Sequence, residues 1–203
     1  MGTAGTKGVP RADRESQILD IAGRQIEQVG YAGMSPALVA EAAGVSKPMV
    51  YHYFGSKDGL YVACVEQAAE VVCGAIETVF DRPAQWEMIE RTLEAIFRAL
   101  AGRQFHWNVL LDATHPAEGP AATAAWVARS RLAGQAARGA EATLGSRGMH
   151  DPVDLSAFTE VWMAAVAALV NWWVRHPDET AEAMIARSHR LFAVLFLGSG
   201  TKR

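Results

Sequence analysis

Cysteine is scarce in this chain of 203 residues, which contains two of them, Cys64 and Cys73. If both lie on one helix, their nine-residue spacing, at about 100° per residue, places them on opposite faces. A disulfide between them is then excluded by geometry. Two unpaired thiols are typical of a reducing compartment, so we expect a cytoplasmic protein.

Long apolar runs and a secretory signal are also missing. The longest uninterrupted apolar run, Val161 to Val170, ends at Asn171. A membrane-spanning helix needs about 18 or more such residues. The segment from Met1 to Pro10 is small and polar, without the apolar stretch of a signal peptide. We therefore expect no membrane partner.

The chain also lacks an excess of positive charge. Its 19 basic and 22 acidic residues give a formal net charge of -3, which at first argues against nucleic acid as a partner. Residues 1–62, however, contain six basic and six acidic residues, and no acidic residue lies between Ala42 and Lys57. The negative excess therefore falls in residues 63–203, and the first region remains compatible with DNA binding.

Sustained strand-type alternation is absent, and the periodicity is helical nearly throughout. Ile18, Ala22 and Ile26, for example, recur at the four-residue steps of an amphipathic helix. We predict an all-α protein of about nine helices. All four tyrosines lie in the first 61 residues and all six tryptophans after residue 85. This shift in composition indicates two functional regions.

Residues 35–54 predict two short helices joined by a tight turn, which is the helix-turn-helix arrangement. Ser35 precedes a proline and is a candidate N-cap for the first helix. Gly44 can take the positive φ that the turn requires, and Ala43 is small enough for a close helix crossing. Ser46 is a candidate N-cap for the second helix.

With these features, the run from Arg14 to Tyr61 resembles the N-terminal domain of TetR-type transcriptional regulators. The residues that carry the resemblance are Ile18-Leu19, Gly30-Tyr31, Ser35, Val39-Ala40, Ala43-Gly44-Val45-Ser46, Val50-Tyr51-His52-Tyr53-Phe54 and Ser56-Lys57-Asp58-Gly59-Leu60. It implies a flexible N-terminal arm (1–10), a helix-turn-helix DNA-binding domain (11–56) and a helical ligand-binding and dimerisation domain (57–203). One departure is the run from Lys47 to Met49, where many members carry a small residue.

The resemblance further implies that the second helix is a recognition helix facing the major groove. The residues assigned to DNA contact on this basis are Ser35, Ser46, Lys47, Pro48, Met49, Tyr51, His52, Tyr53 and Lys57. Contact is favoured for Lys47, Tyr51 and Lys57. For His52 and Tyr53, packing on neighbouring helices is an equal alternative.

The resemblance also implies an effector cavity and a dimer interface in the second region. Candidate ligand-binding residues are Trp86, Phe97, Phe105, Trp107, Trp126 and Trp162, with an ordinary aromatic core as the alternative for each. Candidate interface residues are Trp172, Phe192 and Phe196, with packing inside the subunit as the alternative.

These features predict a ligand-responsive transcriptional repressor. It would bind double-stranded operator DNA of palindromic sequence as a homodimer and be released by a small, largely apolar effector. An activator or global DNA-binding regulator without a small ligand is the alternative.

Enzymatic signatures are weak, because no convincing Ser/His/Asp set, glycine-rich phosphate loop or zinc-ligand spacing is found. His106, Asp112 and His115 are the nearest approach to a metal site. On a helix, the first two would point about 120° apart. We therefore expect no catalytic residues, no metal and no cofactor.

Overall fold

A computed structural model describes residues 10–81 and 87–194. Within them the prediction of an all-α fold with about nine helices is confirmed. The helices are α1 (Arg11–Gly33), α2 (Pro36–Ala42), α3 (Lys47–Phe54), α4 (Lys57–Glu77), α5 (Glu87–Leu100), α6 (Phe105–Leu111), α7 (Pro120–Gly145), α8 (Pro152–Val174) and α9 (Ala181–Phe192). Trp86, Phe196 and residues 1–9 of the predicted arm lie outside the described residues.

Helices α1, α2 and α3 pack together at the N-terminal end. The α1 stripe of Ile18, Ala22 and Ile26 is buried, as its helical spacing predicts. Val39 of α2 and Val50 of α3 complete this small core. Since α3 buries Val50 and no other residue, it lies on the surface of the molecule.

Two glycines with positive φ, Gly30 and Gly44, lie where the N-terminal helices end or change direction. Gly44 has φ 66° in the turn between α2 and α3, as the sequence predicts. Gly30 has φ 66° and ψ -179°, so the helical path of α1 is interrupted three residues before its last residue. The chain therefore changes direction at Gly30, and the following residues approach α4.

Helix α4 is the central helix and contacts α1, α3, α5, α6 and α7. Its two cysteines are both buried and unpaired. Burial raises the pKa of the Cys64 thiol to about 12 and that of Cys73 to about 11, so both thiols are neutral. Helix α4 therefore connects the N-terminal helices directly to the second region.

Helices α4 and α8 are long and apolar enough to cross a membrane by length and composition alone, which is weak evidence for a span. Half of the apolar window of α4 is buried inside the molecule, as in the core helix of a globular protein. In α8 the buried share is 11%. Helix α8 therefore presents apolar surface that the rest of the described chain leaves uncovered.

Candidate DNA-binding surface and effector cavity

Helix α3 displays its polar and aromatic side chains on the molecular surface. The Ser46 hydroxyl accepts a hydrogen bond from the Met49 amide (3.3 Å) and so caps the helix as predicted. Lys47, Pro48, Met49, Tyr51 and His52 are all exposed, while Val50 between them is buried. Because Val50 alone is buried, the other side of the predicted recognition helix faces solvent.

Two cations lie over aromatic rings at this surface. Lys47 Nζ is 5.6 Å from the centre of the Tyr51 ring, and the Arg11 guanidinium is 5.3 Å from that of Tyr53. Tyr53 is half-buried and contacts the Phe54 ring at 5.9 Å. Tyr53 therefore contributes to packing, whereas Tyr51 and Lys47 contact each other and are both exposed to solvent.

Lys57 is held in place by the end of α1. Its Nζ donates a hydrogen bond to the carbonyl of Ala32 (3.1 Å) and lies 4.6 Å from the centre of the Tyr31 ring. The Tyr31 hydroxyl donates to the Asp58 carboxylate, and this bond raises the pKa of Tyr31 to about 12. One positive charge is therefore fixed near the start of α4.

The serines at the helix starts behave differently. Ser56 accepts a hydrogen bond from the Gly59 amide (2.9 Å) and caps α4. Ser35 has the extended backbone of an N-cap, but its hydroxyl does not cap α2. Its amide instead donates to Gln25 Oε1 (3.2 Å). The α2 N-terminus thus keeps its own amides available to an acceptor outside the chain.

A junction that sequence reasoning missed joins the end of α1 to the loop between α6 and α7. The Tyr31 amide donates to Asp112 Oδ2 (3.2 Å), and the Ala32 amide donates to Thr114 Oγ1 (3.2 Å). The Thr114 hydroxyl in turn donates to Asp112 Oδ1 (2.8 Å). A Cβ at Gly30 would lie 2.2 Å from Thr114 Oγ1. We call Asp112 and Thr114 the junction clasp.

Helix α7 holds the junction clasp from the other side. Arg129 Nη1 donates to the carbonyl of Asp112 (3.1 Å), and its Nη2 lies 3.1 Å from His115 Nε2. The His115 ring is 6.0 Å from that of Tyr61, which meets the Tyr31 ring edge-on at 5.1 Å. The end of α1, the start of α4, the loop after α6 and the first half of α7 therefore meet at one place.

The three weak metal candidates, His106, Asp112 and His115, do not form one group among the described residues. His106 is buried in α6, whereas Asp112 and His115 take part in the junction. Among residues 10–81 and 87–194, no group of three or more His, Cys, Asp or Glu side chains is placed to hold a metal ion.

Of the predicted ligand-binding aromatics that the structure describes, Trp107 and Trp162 line a common cavity of about 40 Å³. The buried Trp107 Nε1 has no hydrogen-bond partner among the described residues. Gln135 crosses one wall, where its Nε2 donates to the Cys73 carbonyl and to Glu77 Oε2, both at 2.8 Å. The cavity has room for about one water molecule, so no bulky ligand fits it in this state.

The other predicted aromatics lie elsewhere. Phe97 packs edge-on against Trp173, and Phe105 lies under the Arg24 guanidinium at 4.8 Å. Trp126 is 67% exposed on α7. Phe97, Phe105 and Trp126 do not contribute to the Trp107 cavity. The sequence placed them there only as candidates, because helical spacing does not reveal which face of each helix turns inward.

The two predicted interface residues that the structure describes, Trp172 and Phe192, both make contacts inside the chain. Phe192 is 7% exposed and contacts the Trp162 ring at 5.8 Å, so it has little surface left for a partner. Trp172 stacks on His176 at 3.8 Å. The exposed apolar surface of α8 is instead a stripe that we call the α8 stripe, formed by Val153, Ala157, Val161, Ala164 and Ala168.

Comparison with known sequences identifies the N-terminal region. Residues 18–64 match the family described as bacterial regulatory proteins, tetR family. The HTH-type transcriptional regulator BetI of Paraburkholderia phytofirmans is 45% identical over 53 residues, which are 26% of this chain and 27% of that protein. The match thus spans about a quarter of the length of this curated relative.

Solved structures share the fold over nearly the whole chain. A TetR-like transcriptional regulator from Rhodococcus sp. RHA1 has a TM-score of 0.71 at 24% identity, covering 96% of this chain and 100% of that one. FadR from Bacillus subtilis, solved in complex with stearoyl-CoA, has a TM-score of 0.69 at 18% identity, covering 92% and 99%. Residues 18–64 thus match the tetR family of bacterial regulatory proteins in sequence, and the chain shares the fold of these solved regulators over nearly its whole length.

Proposed function

We propose that this protein is a cytoplasmic, ligand-responsive repressor that binds palindromic operator DNA as a homodimer. The observation that carries the proposal is the exposure of Lys47, Tyr51 and His52 on α3, which is anchored through Val50 alone. Residues 11–56 would form the DNA-binding domain, and residues 57–203 the ligand-binding and dimerisation region.

The charges and donors around α3 support DNA contact. No carboxylate lies between Ala42 and Lys57, so a phosphate approaching α3 meets no repulsion from that segment. Lys47 is placed to reach a base edge or a phosphate, and Tyr51 and Lys57 to position the backbone. The free backbone amides at the start of α2, next to Ser35, would donate hydrogen bonds to a phosphate without adding a formal charge.

The uncovered apolar surface supports the homodimer. Leu191 and Val194, near the end of α9, are also exposed, and a patch such as the α8 stripe is unfavourable in water unless a partner covers it. A twofold axis there would present two α3 helices to successive major grooves, about 34 Å apart or a multiple of it. The operator would accordingly be palindromic.

The effector would act from the second region. FadR of Bacillus subtilis, a structural neighbour, was solved in complex with stearoyl-CoA, a molecule that carries a long apolar chain, and this supports a small-molecule effector for a protein of this fold. An effector that binds one conformation better than the other would favour a spacing of the α3 helices that no longer fits the operator. Release of DNA follows from that population shift.

The small size of the Trp107 cavity favours a second candidate function. A cavity of about 40 Å³ is compatible with an activator or global regulator whose second region is a scaffold without a ligand. In that case no small molecule would change the affinity for DNA.

Selection of bound duplexes from a random pool tests the proposal. The wild type should enrich a palindrome, and Lys47→Ala or Tyr51→Ala should abolish its binding in a gel shift while the dimer persists. Both side chains are exposed, so neither change removes core packing. Arg98→Ala, an exposed change on α5, is the control and should bind as the wild type does. Failure to enrich any duplex, or unchanged binding by both variants, would refute DNA recognition through α3.

A further inference from the structure

An apolar groove of about 630 Å³ lies between α4 and α7, separate from the Trp107 cavity. This volume is within the range of small-molecule sites in proteins, roughly 300–1,000 Å³. Its floor consists of the buried side chains of Val65, Ala69 and Ala128. Its walls are Val62, Pro120, Thr123, Ala124 and Val127.

The rim of the groove carries one uncompensated negative charge. Glu70 of α4 is paired across the groove with Arg131 of α7, whose Nη1 lies 3.1 Å from Glu70 Oε2. Glu66 lies one turn earlier on α4, and among the described residues it makes no ion pair. Two carboxylates and one guanidinium leave a formal charge of -1 beside an apolar floor.

We propose that the groove between α4 and α7 binds an apolar monocation, with Glu66 as the anchoring carboxylate. The apolar body of such a molecule would cover Val65 and Ala69, while its charge would lie toward Glu66 at the rim. An apolar anion of the same shape would gain the same burial but meet repulsion from the rim.

The position of the groove gives its occupant a route to the DNA-binding helices, a step that rests on the proposed function. The α4 wall begins at Val62, less than two turns after Ser56, and two residues, Gly55 and Ser56, separate α4 from α3. The α7 wall includes the turn that carries Arg129, which holds Asp112 of the junction clasp. A molecule that separates α4 from α7 therefore shifts both connections to the N-terminal helices.

Calorimetry with two ions of nearly equal size and shape tests the site without DNA. Tetraphenylphosphonium should bind the 203-residue chain about fivefold more tightly than tetraphenylborate, a difference that corresponds to the strongest exposed ion pairs. Glu66→Gln should weaken binding of the cation about fivefold and reduce the difference between the ions. Glu141→Gln, an exposed change at the far end of α7, is the matched control and should leave both affinities unchanged. Equal affinity for both ions, or no effect of Glu66→Gln, would overturn the assignment.

A second variant locates the ion. Ala124→Phe places a ring in the groove without removing a buried side chain, and it should abolish binding of tetraphenylphosphonium. Retained binding would overturn the proposal, because the ion would then lie elsewhere. If light scattering shows that Ala124→Phe dissociates the dimer and the wild type binds no cation, a second copy of the chain fills the groove and the proposal is wrong.

Operator-binding measurements distinguish cation binding in the groove from its proposed effect on DNA affinity. If the selected operator is bound, tetraphenylphosphonium should weaken that binding in the wild type and leave Ala124→Phe unaffected. If the protein binds the cation in the groove but enriches no operator, the site stands and the proposed function fails. Cation binding without any change in operator affinity would overturn the regulatory part of the inference.

Discussion

A buried histidine in α6 links the stability of the fold to pH. His106 is 2% exposed, and neither of its ring nitrogens has a hydrogen-bond partner among the described residues. Burial lowers the pKa of His106 to about 4, and the nearby Arg103 and Arg24 lower it further. The folded protein therefore holds this ring neutral well below the pH at which a free histidine is protonated.

We expect the free energy of unfolding to fall as the pH is lowered from about 6.5 to about 4. In this range the unfolded chain binds one proton at His106 that the folded chain does not bind, so acid favours unfolding. The loss from this residue between pH 7 and pH 4 is about 3 kcal/mol. Urea titrations at both pH values should show that His106→Phe loses less stability than the wild type.

The exposed His150 supplies the control, since His150→Gln should retain the full loss of stability on acidification. The same pH dependence in wild type and His106→Phe would show that the ring is protonated in the folded state.

At the scale of elements, the ends of helices govern how the N-terminal helices meet the rest of the chain. Gly30 and Gly44 share a φ of 66°, yet their surroundings differ. A Cβ at Gly44 would meet nothing within 4 Å, whereas one at Gly30 would collide with Thr114 and approach Asp112 Oδ1 at 3.0 Å. The same φ angle thus occurs in an open turn at Gly44 and in a tightly packed contact at Gly30.

We predict that Gly44→Ala costs about 1 kcal/mol of unfolding free energy, the penalty of a left-handed conformation. Gly30→Ala should cost more, at least about 2 kcal/mol, because its ψ of -179° lies in a region open essentially to glycine alone and its Cβ displaces the junction clasp. Urea unfolding measures both costs.

Hydrogen exchange locates the effect of the Gly30 change. In Gly30→Ala the amides of Tyr31 and Ala32 should exchange faster, since they donate to Asp112 and Thr114. Gly44→Ala should leave those amides protected. Equal costs for the two substitutions, with unchanged protection at Tyr31, would mean that the clasp adds nothing to the stability of this junction.

For the whole molecule, the uncovered α8 stripe makes dimerisation the expected state. Val161 is 63% exposed at the middle of the stripe. In a dimer it would be buried against the partner, where a charge without a counterion is unfavourable. The same residue in an isolated chain would tolerate a charged side chain at little cost to folding.

Val161→Lys should therefore weaken the dimer and leave the fold intact. A cost of about 2 kcal/mol raises the dimer dissociation constant about thirtyfold, which sedimentation equilibrium can measure. Met149→Lys, an exposed apolar residue outside α8, is the control and should dimerise as the wild type does. If Val161→Lys and the wild type have the same dissociation constant, the α8 stripe is not the interface.

Local chemistry made much of the N-terminal region predictable. The cap at Ser46, the positive φ at Gly44 and the burial of Val50 depend on residues a few positions apart. The spacing of these residues within one continuous segment predicted the helix-turn-helix and carried the resemblance to the tetR family, and the number of helices followed from periodicity and helix-breaking residues.

The tertiary structure decided the arrangement of the second region. Periodicity places residues on a face but does not say what covers that face, so it could not separate the exposed Trp126 from the buried Phe192. The bond from the Tyr31 amide to Asp112 joins residues 81 positions apart, a distance at which no local pattern leaves a signal. The sequence by itself determined the helix-turn-helix and the cap at Ser46, because these rest on neighbouring residues. The fold alone decided the junction clasp, the groove at Glu66 and the α8 stripe, because these arise only when distant helices pack together.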